Sequence, residues 1–258
     1  MKFKEKVKIL NSLGQNIVAV IHRPKKSMGR LAILCPGYLD TKDYDHLVEL
    51  AATLSKDGYT VVRFDPTGTW ESEGEISDHT ISQYLKDIRS VLEYMLQEDE
   101  YGSILLGGHS RGGMVSILYA ARDSRISIVM GIMPSSSLSI EKKSLDDWKK
   151  TGVRISKRDV PGSTEMREFR VPFSHAVDGR QFDALKDVKK ITVPVILIAG
   201  ELDTIILPDS VQHIFDEAKD PRKFILLNGI GHDYRHNPAE IKIVNDKIVK
   251  SLKSFPNY

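Results

Sequence analysis

The sequence contains almost no cysteine, no excess of charge of one sign and no long hydrophobic run. One cysteine among 258 residues excludes a disulfide within the chain and predicts a reducing, cytoplasmic location. A formal net charge of +2 gives no electrostatic reason to expect a nucleic acid or a membrane surface as a partner. No stretch approaches the ~20 apolar residues that span a bilayer, and the amino terminus lacks the apolar core of a signal peptide. The composition predicts a soluble globular protein. The sequence leaves both a monomer and a homodimer open.

Short apolar runs alternate with amphipathic segments along most of the chain. Leu31 to Pro36 and Ile104 to Gly107 have the continuous apolar pattern of strands that are covered on both faces. Thr80 to Leu96 places apolar residues at helical spacing. Residues 3–22 read as two strands joined near a glycine turn, which predicts an antiparallel hairpin. We therefore predict the α/β class, with a mostly parallel eight-stranded sheet and helices on both faces.

Residues 134–190 break this alternation, because they contain no continuous apolar strand and several turn signals. Ile140 to Lys150 has a helical pattern, whereas Val153 to Lys157 and Arg167 to Phe173 alternate polar with apolar residues and could pair. A structureless loop of this length is unusual in a compact domain. We predict a core formed by residues 1–133 and 191–258, with residues 134–190 inserted as a small lid.

The pentapeptide Gly108-His109-Ser110-Arg111-Gly112 lies between a predicted strand and a predicted helix. In this context a Gly-x-Ser-x-Gly sequence forms a sharp turn that exposes the serine hydroxyl at the end of the strand. Glycines on either side avoid collisions with the neighbouring strand and helix. Ser110 is therefore the candidate nucleophile, and His109 is interpreted as a packed, hydrogen-bonded histidine.

A serine nucleophile needs a base, and the base needs an acid behind it. Asp203 and His232 each follow a predicted strand, at the same edge of the sheet as Ser110. Glu201 remains an alternative acid and His236 an alternative base.

Two backbone amides are expected to stabilise the oxyanion that forms during acyl transfer. One belongs to Arg111, directly after the nucleophile, and the other to Tyr38, in the turn after the third strand. No histidines with metal-ligand spacing are evident, so we expect neither a metal nor an organic cofactor.

Together these motifs resemble the α/β-hydrolase fold, and within it the carboxylesterases related to feruloyl (cinnamoyl) esterases and serine-aminopeptidase-like hydrolases. The segments that carry the resemblance are Pro36-Gly37-Tyr38, Arg63-Phe64-Asp65 through Ser72-Glu73-Gly74, Gly108 to Gly112, Gly200-Glu201-Leu202-Asp203 and Gly231-His232. The resemblance implies Ser110 as nucleophile, Asp203 as acid and His232 as base, with the amides of Tyr38 and Arg111 as the oxyanion hole. It also implies a lid after the sixth strand.

These features predict a serine esterase that cleaves small to medium acyl esters, including aromatic ones such as cinnamoyl esters, with a small molecule as its substrate. Four aromatic residues are candidates for substrate binding: Trp70, Trp148, Phe169 and Phe173. An aminopeptidase or a thioesterase would use the same three residues, and the aminopeptidase would need an acid such as Glu141, Asp146 or Asp147 for the substrate ammonium. A non-catalytic ligand receptor on the same fold is a further alternative.

Overall fold

A computed structural model describes residues 4–138 and 140–255 and contains a central sheet of eight strands. The strands of the described residues are β1 (Lys4–Leu10), β2 (Asn16–His22), β3 (Arg30–Cys35), β4 (Tyr59–Phe64), β5 (Ser103–His109), β6 (Ile128–Ile132), β7 (Val153–Asp159), β8 (Met166–Pro172), β9 (Val195–Gly200) and β10 (Arg222–Leu227). The sheet order is β1-β2-β4-β3-β5-β6-β9-β10, and β7 and β8 form a separate pair. β2 runs antiparallel to β1 and β4. The other strands of the sheet, in the order β4-β3-β5-β6-β9-β10, are parallel to their neighbours. The predicted fold class is therefore confirmed; Phe3, assigned to the first strand, lies outside the described residues.

Helices cover both faces of this sheet. They are α1 (Asp45–Lys56), α2 (Ile81–Glu98), α3 (Arg111–Ala120), α4 (Lys142–Thr151), α5 (Ser174–Gly179), α6 (Ala184–Val188), α7 (Pro208–Glu217) and α8 (Pro238–Leu252). α1 and α8 bury their apolar residues on one face, while α2, α3, α6 and α7 do so on the other. Every residue of β3 and β5, apart from the half-buried Ser103, is buried, as the continuous apolar runs predict. None of the helices in the described residues is both long and apolar enough to cross a membrane.

The inserted segment, which we define as residues 134–190, leaves the sheet after β6 and returns before β9. Its strands β7 and β8 pair antiparallel from Val153 opposite Pro172 to Asp159 opposite Met166, which confirms the predicted hairpin. At its base the Ala184 amide donates a hydrogen bond of 2.7 Å to the Ser136 carbonyl oxygen. The boundaries of this segment and its role as a lid stay predictions.

A separate apolar cluster joins the inserted segment to the loops at the carboxyl edge of the sheet. Trp148, Phe169 and Val171 of the segment are buried against Leu39, which lies in the loop after β3. The Trp148 indole N–H also donates to the Val171 carbonyl oxygen at 3.0 Å. The segment therefore covers the edge where the parallel strands end.

A buried ion cluster fixes the loop after β3 against the loop after β4. The Lys42 ammonium lies 3.0 Å from Asp65, which is fully buried, and also pairs with Asp43 and Glu71. Asp65 further accepts hydrogen bonds from the Thr41 hydroxyl and the Lys42 amide. The Arg63-to-Gly74 motif that supports the family resemblance thus has a structural role in holding the loop that carries Tyr38.

A buried histidine makes stability depend on pH. His22 in β2 accepts a hydrogen bond of 3.0 Å from the Arg63 guanidinium, and burial, together with the charges of Arg63 and Lys4, lowers the pKa of His22 to about 4. Because the pKa of His22 in the folded state lies below its unfolded value, its contribution to stability is present above pH 6.5 and is lost as the pH falls towards 4. We expect the wild type to lose on the order of 3 kcal/mol more than His22→Gln between pH 7 and pH 4.

Urea unfolding of both proteins at pH 7, 5.5 and 4 measures this difference. Comparison with the variant is needed because burial raises the pKa of Asp40 and of Asp87 to about 6, which stabilises the fold as the pH falls. Parallel pH profiles for the two proteins would show that His22 does not contribute.

Candidate active site

Ser110 occupies the sharp turn between β5 and α3. Its backbone has φ +54° and ψ −117°, a strained conformation for a non-glycine residue, and its amide donates to the Ile132 carbonyl oxygen at 2.9 Å. A side chain at Gly112 would place Cβ 2.6 Å from the Pro36 carbonyl oxygen, so only glycine fits there. These contacts hold the Ser110 hydroxyl at the carboxyl end of β5.

The Ser110 hydroxyl is the first member of a hydrogen-bonded chain of three side chains. His232 Nε2 lies 3.1 Å from Ser110 Oγ, and His232 Nδ1 lies 2.7 Å from Asp203 Oδ2. The other carboxylate oxygen of Asp203 accepts hydrogen bonds from the amides of Ile205 and Ile206 at 2.8 and 2.7 Å. Because a carboxylate only accepts hydrogen bonds, Asp203 holds the proton of His232 on Nδ1 and leaves Nε2 free to accept the serine proton.

The alternative acid and base have other positions. Glu201 accepts a hydrogen bond of 2.8 Å from the Gly229 amide and thereby closes the loop that carries His232. His236 lies in a short 3-10 turn (Tyr234–His236) between that loop and α8. The structure thus brings Asp203 and His232 together with Ser110, and it does not bring Glu201 or His236 to the hydroxyl.

The two amides predicted for the oxyanion hole are available as donors. Among the described residues, neither the Tyr38 amide nor the Arg111 amide has an acceptor. Arg111 is the first residue of α3, where an amide has no partner within the helix. Tyr38, Arg111 and Ser110 all line one cavity, as two donors to the same oxyanion require.

Two buried histidines lie behind His232. The His109 ring centroid is 4.6 Å from that of His232, and the His46 ring packs edge-on against His109. Burial and the charge of His232 lower the pKa of His109, and burial lowers the pKa of His46 to about 3. Neutral rings can pack against His232 without repelling a proton that it gains. The structure shows that the His109 ring is packed among other rings, as expected, and its hydrogen bonding stays a prediction.

One group of side chains in the described part of the chain could hold a metal ion. Ligand atoms of Asp40, His46 and His109 lie within 4.8 Å of one another. However, the Arg158 guanidinium lies 3.4 Å from the Asp40 carboxylate. A fixed positive charge there competes for the carboxylate and repels a second cation.

The cavity beside Ser110 has a volume of about 500 Å³. Its wall combines residues from the strand-end loops, the inserted segment and the start of α7: Tyr38, Ser110, Arg111, Ser135, Ser136, Ser137, Leu138, Ile140, Trp148, Arg154, His175, Ile205, Ile206, Leu207 and Ser210. Of the four aromatic residues predicted to bind substrate, the structure places Trp148 on this wall. Trp70, Phe169 and Phe173 lie outside the wall, in the apolar cluster beneath the inserted segment, and their role in substrate binding stays a prediction.

Sequence reasoning missed several residues of this wall. Ser135 to Ser137 follow β6 at the same edge as Ser110, so the argument from strand ends could have found them. Arg154 and His175 come from the inserted segment, whose placement over the sheet has no local signal in the sequence. The motif around Ser110 assigns a role to the amide of Arg111 and carries no signal for its guanidinium.

Comparison with known proteins identifies a matching family and several relatives. The family model described as serine aminopeptidase, S33 (Hydrolase_4) matches residues 26–181. The mitochondrial palmitoyl-protein thioesterase ABHD10 of Mus musculus is 24% identical over 221 residues, which cover 82% of this chain and 71% of that protein. A proline iminopeptidase of Saccharolobus solfataricus is 33% identical over 128 residues, which cover 49% of this chain and 39% of that protein.

Solved structures share the same architecture. Est1E from Butyrivibrio proteoclasticus with bound ferulic acid has a TM-score of 0.77 and 21% identity, and covers 96% of this chain and 98% of its own. DcsB in complex with a substrate analogue has a TM-score of 0.83 and 18% identity, with coverage of 97% and 99%. At these identities the likeness shows the α/β-hydrolase fold.

Proposed function

Because the chain belongs to the serine aminopeptidase S33 (Hydrolase_4) family of α/β-hydrolases, we propose that it is a serine hydrolase that cleaves carboxylic esters of small to medium acyl groups. The observation that carries this proposal is the hydrogen-bonded chain from Asp203 through His232 to the Ser110 hydroxyl. In this proposal these three residues are the catalytic triad. No cofactor takes part.

The reaction proceeds in two halves. His232 Nε2 takes the proton of Ser110 as Oγ attacks the ester carbonyl, and the Tyr38 and Arg111 amides stabilise the negative charge on the carbonyl oxygen. Protonated His232, stabilised by Asp203, gives its proton to the departing alkoxide. The alcohol leaves, and the acyl group remains bound to Ser110 Oγ. Water then attacks the acyl-enzyme by the same route, which releases the acid and restores the serine.

The cavity wall favours an ester over a peptide with a free amino terminus. An aminopeptidase needs a carboxylate to hold the substrate ammonium, and no aspartate or glutamate is among the described residues of the wall. Glu141, Asp146 and Asp147, the acids considered for that role, are exposed and lie outside the wall. A positively charged amino terminus would instead meet the guanidinium groups of Arg111 and Arg154.

A thioester is the second candidate substrate class. The relative in Mus musculus is named a palmitoyl-protein thioesterase, and a thiolate leaves the tetrahedral intermediate more readily than an alkoxide does. The cavity volume lies within the range of small-molecule sites. We therefore propose acyl groups of small to medium size, including aromatic ones, for both substrate classes. Separately, we propose a cytoplasmic location on the basis of the single cysteine.

A panel of model substrates tests the proposal. We expect hydrolysis of 4-nitrophenyl acetate, butyrate and octanoate and of the matching acyl thioesters, with little release from aminoacyl-4-nitroanilides. Ser110→Ala is expected to lower kcat at least a thousand-fold, because the nucleophile is removed. Peptide mapping after treatment with a fluorophosphonate probe is expected to find the label on Ser110.

The neighbouring Ser116 provides a matched control. Its hydroxyl is buried in α3 and donates to the Gly112 carbonyl oxygen at 2.7 Å, so it should not react with the probe. A wild-type protein that neither labels nor turns over any of these substrates would contradict the proposal and leave the non-catalytic receptor as the alternative.

A further inference from the structure

Arg111 lines the cavity beside Ser110, and its guanidinium has no anionic partner in the part of the chain that the structure describes. Its central carbon lies 4.0 Å from the centroid of the Tyr38 ring, and among the described residues it has no hydrogen bond or ion pair. Burial, with added repulsion from Arg158 and Arg154, lowers the pKa of Arg111. A half-buried charge of this kind is costly unless an anion compensates it.

A second cation extends the same positive surface. Arg154, on β7 of the inserted segment, lines the cavity, and its guanidinium carbon lies 5.9 Å from the centroid of the Trp148 ring. It too has no ion pair within the described chain. Arg158 differs, because its guanidinium is held by the Asp40 carboxylate and the Tyr38 carbonyl oxygen. Arg111 and Arg154 are thus the cations of this site that remain available to a ligand.

The remaining polar groups of the wall are mainly hydrogen-bond donors without charge. Ser136, Ser137 and Ser210 line the cavity, and their hydroxyls have no side-chain partner among the described residues. With two guanidinium groups, these hydroxyls and no carboxylate, the wall is complementary to an anion. An alkyl or aromatic acyl group alone would leave both guanidinium groups uncompensated.

We propose that the preferred substrate is an ester or thioester that carries a carboxylate, bound by the Arg111 guanidinium and supported by Arg154. This inference rests on the proposed function, since it names the substrate class of the same site. The carboxylate belongs either to the acyl chain or to the leaving group. In either position the carboxylate would bind the same guanidinium groups, so a separate pair of substrates is needed to test each position.

Two pairs of substrates with closely matched structures test the proposal. 4-Nitrophenyl hydrogen adipate and 4-nitrophenyl hexanoate differ by a carboxylate at the end of the acyl chain. The butyrate esters of 4-hydroxybenzoate and methyl 4-hydroxybenzoate differ by a carboxylate on the leaving group. We expect kcat/KM to be higher for the charged member of at least one pair, after correction for spontaneous hydrolysis.

Variants then assign the preference to the arginines. In Arg111→Met the ratio of kcat/KM between charged and neutral substrates is expected to fall at least tenfold. Arg111→Lys should recover part of it, and the exposed Arg154→Met should lower it less. Using the ratio cancels any effect of the substitution on the nucleophile or the oxyanion hole. Arg89→Met, on the exposed face of α2 and paired with Glu93, is the control and should leave the ratio unchanged.

A binding experiment separates this proposal from the proposed function. Calorimetric titration of Ser110→Ala with adipic acid monoanilide, compared with hexananilide, needs no turnover. Binding of the acid that is lost in Ser110→Ala/Arg111→Met supports the anion site even if no ester is cleaved. A kcat/KM that is no higher for the charged member in either pair, or a ratio that Arg111→Met does not lower, overturns the proposal while leaving the esterase intact.

Discussion

Replacing Asp203 by asparagine is expected to lower kcat/KM for ester hydrolysis about ten-thousand-fold. Asparagine retains the size of the side chain, but its amide nitrogen can donate a hydrogen bond to His232 Nδ1. The imidazole proton then moves to Nε2, the nitrogen that faces Ser110 Oγ at 3.1 Å, and no acceptor remains for the serine proton. Steady-state kinetics with 4-nitrophenyl butyrate measures the loss.

Glu201→Gln is the matched control, because it makes the same chemical change two residues away. Glu201 holds the Gly229 amide, and a glutamine can accept that hydrogen bond as well, so we expect a change of less than about threefold. The rate of labelling by a fluorophosphonate probe should follow the same order. If Glu201→Gln were the more damaging of the two substitutions, the assignment of the acid would be wrong.

Gly112→Ala is expected to prevent stable folding or to cost about 3 kcal/mol or more. The added Cβ would lie 2.6 Å from the Pro36 carbonyl oxygen and still closer to the Cys35 carbonyl oxygen. Both atoms belong to the backbone at the end of β3, a fully buried strand between β4 and β5, so they cannot move without disturbing the sheet. Urea unfolding and the yield of folded protein measure the effect.

Gly102→Ala is the control for this substitution. A Cβ at Gly102 would be 3.9 Å from its nearest neighbour, the Gly29 carbonyl oxygen, which is an ordinary contact. We expect its free energy of unfolding to remain within about 0.5 kcal/mol of the wild-type value. Equal effects at the two positions would contradict the explanation from close contact.

The parts of the fold that depend on local pattern could be predicted from the sequence. Continuous apolar runs identify β3 and β5 because strands buried on both faces must be apolar throughout. Parallel strands end at one edge, so the order of elements alone predicts that the loops with Ser110, Asp203 and His232 meet. The order of elements alone does not decide whether Asp203 or Glu201 is the acid. The structure distinguishes them, because the Glu201 carboxylate accepts a hydrogen bond from the Gly229 amide while the Asp203 carboxylate contacts His232.

Contacts that depend on the path of the inserted segment could not be predicted. Trp70 and Trp148 are both aromatic residues near the site, yet the first supports the segment and the second lines the cavity. Their different roles follow from the Trp70 indole donating to the Leu39 carbonyl oxygen, while the Trp148 indole donates within the segment. Such long-range hydrogen bonds have no periodic signal along the chain.

The contact between Ser136 and Ala184 at the base of the inserted segment has a consequence for how this scaffold can change. Because residues near the two ends of the segment already meet, lengthening or shortening the part between them does not move the points where the segment leaves and rejoins the sheet, and the entropy cost of closing the loop grows slowly with its length. The sheet and the three hydrogen-bonded side chains need not shift when the segment is exchanged. Substrate preference in such a protein can therefore diverge by replacement of one contiguous stretch of sequence, at little risk to the architecture beneath it.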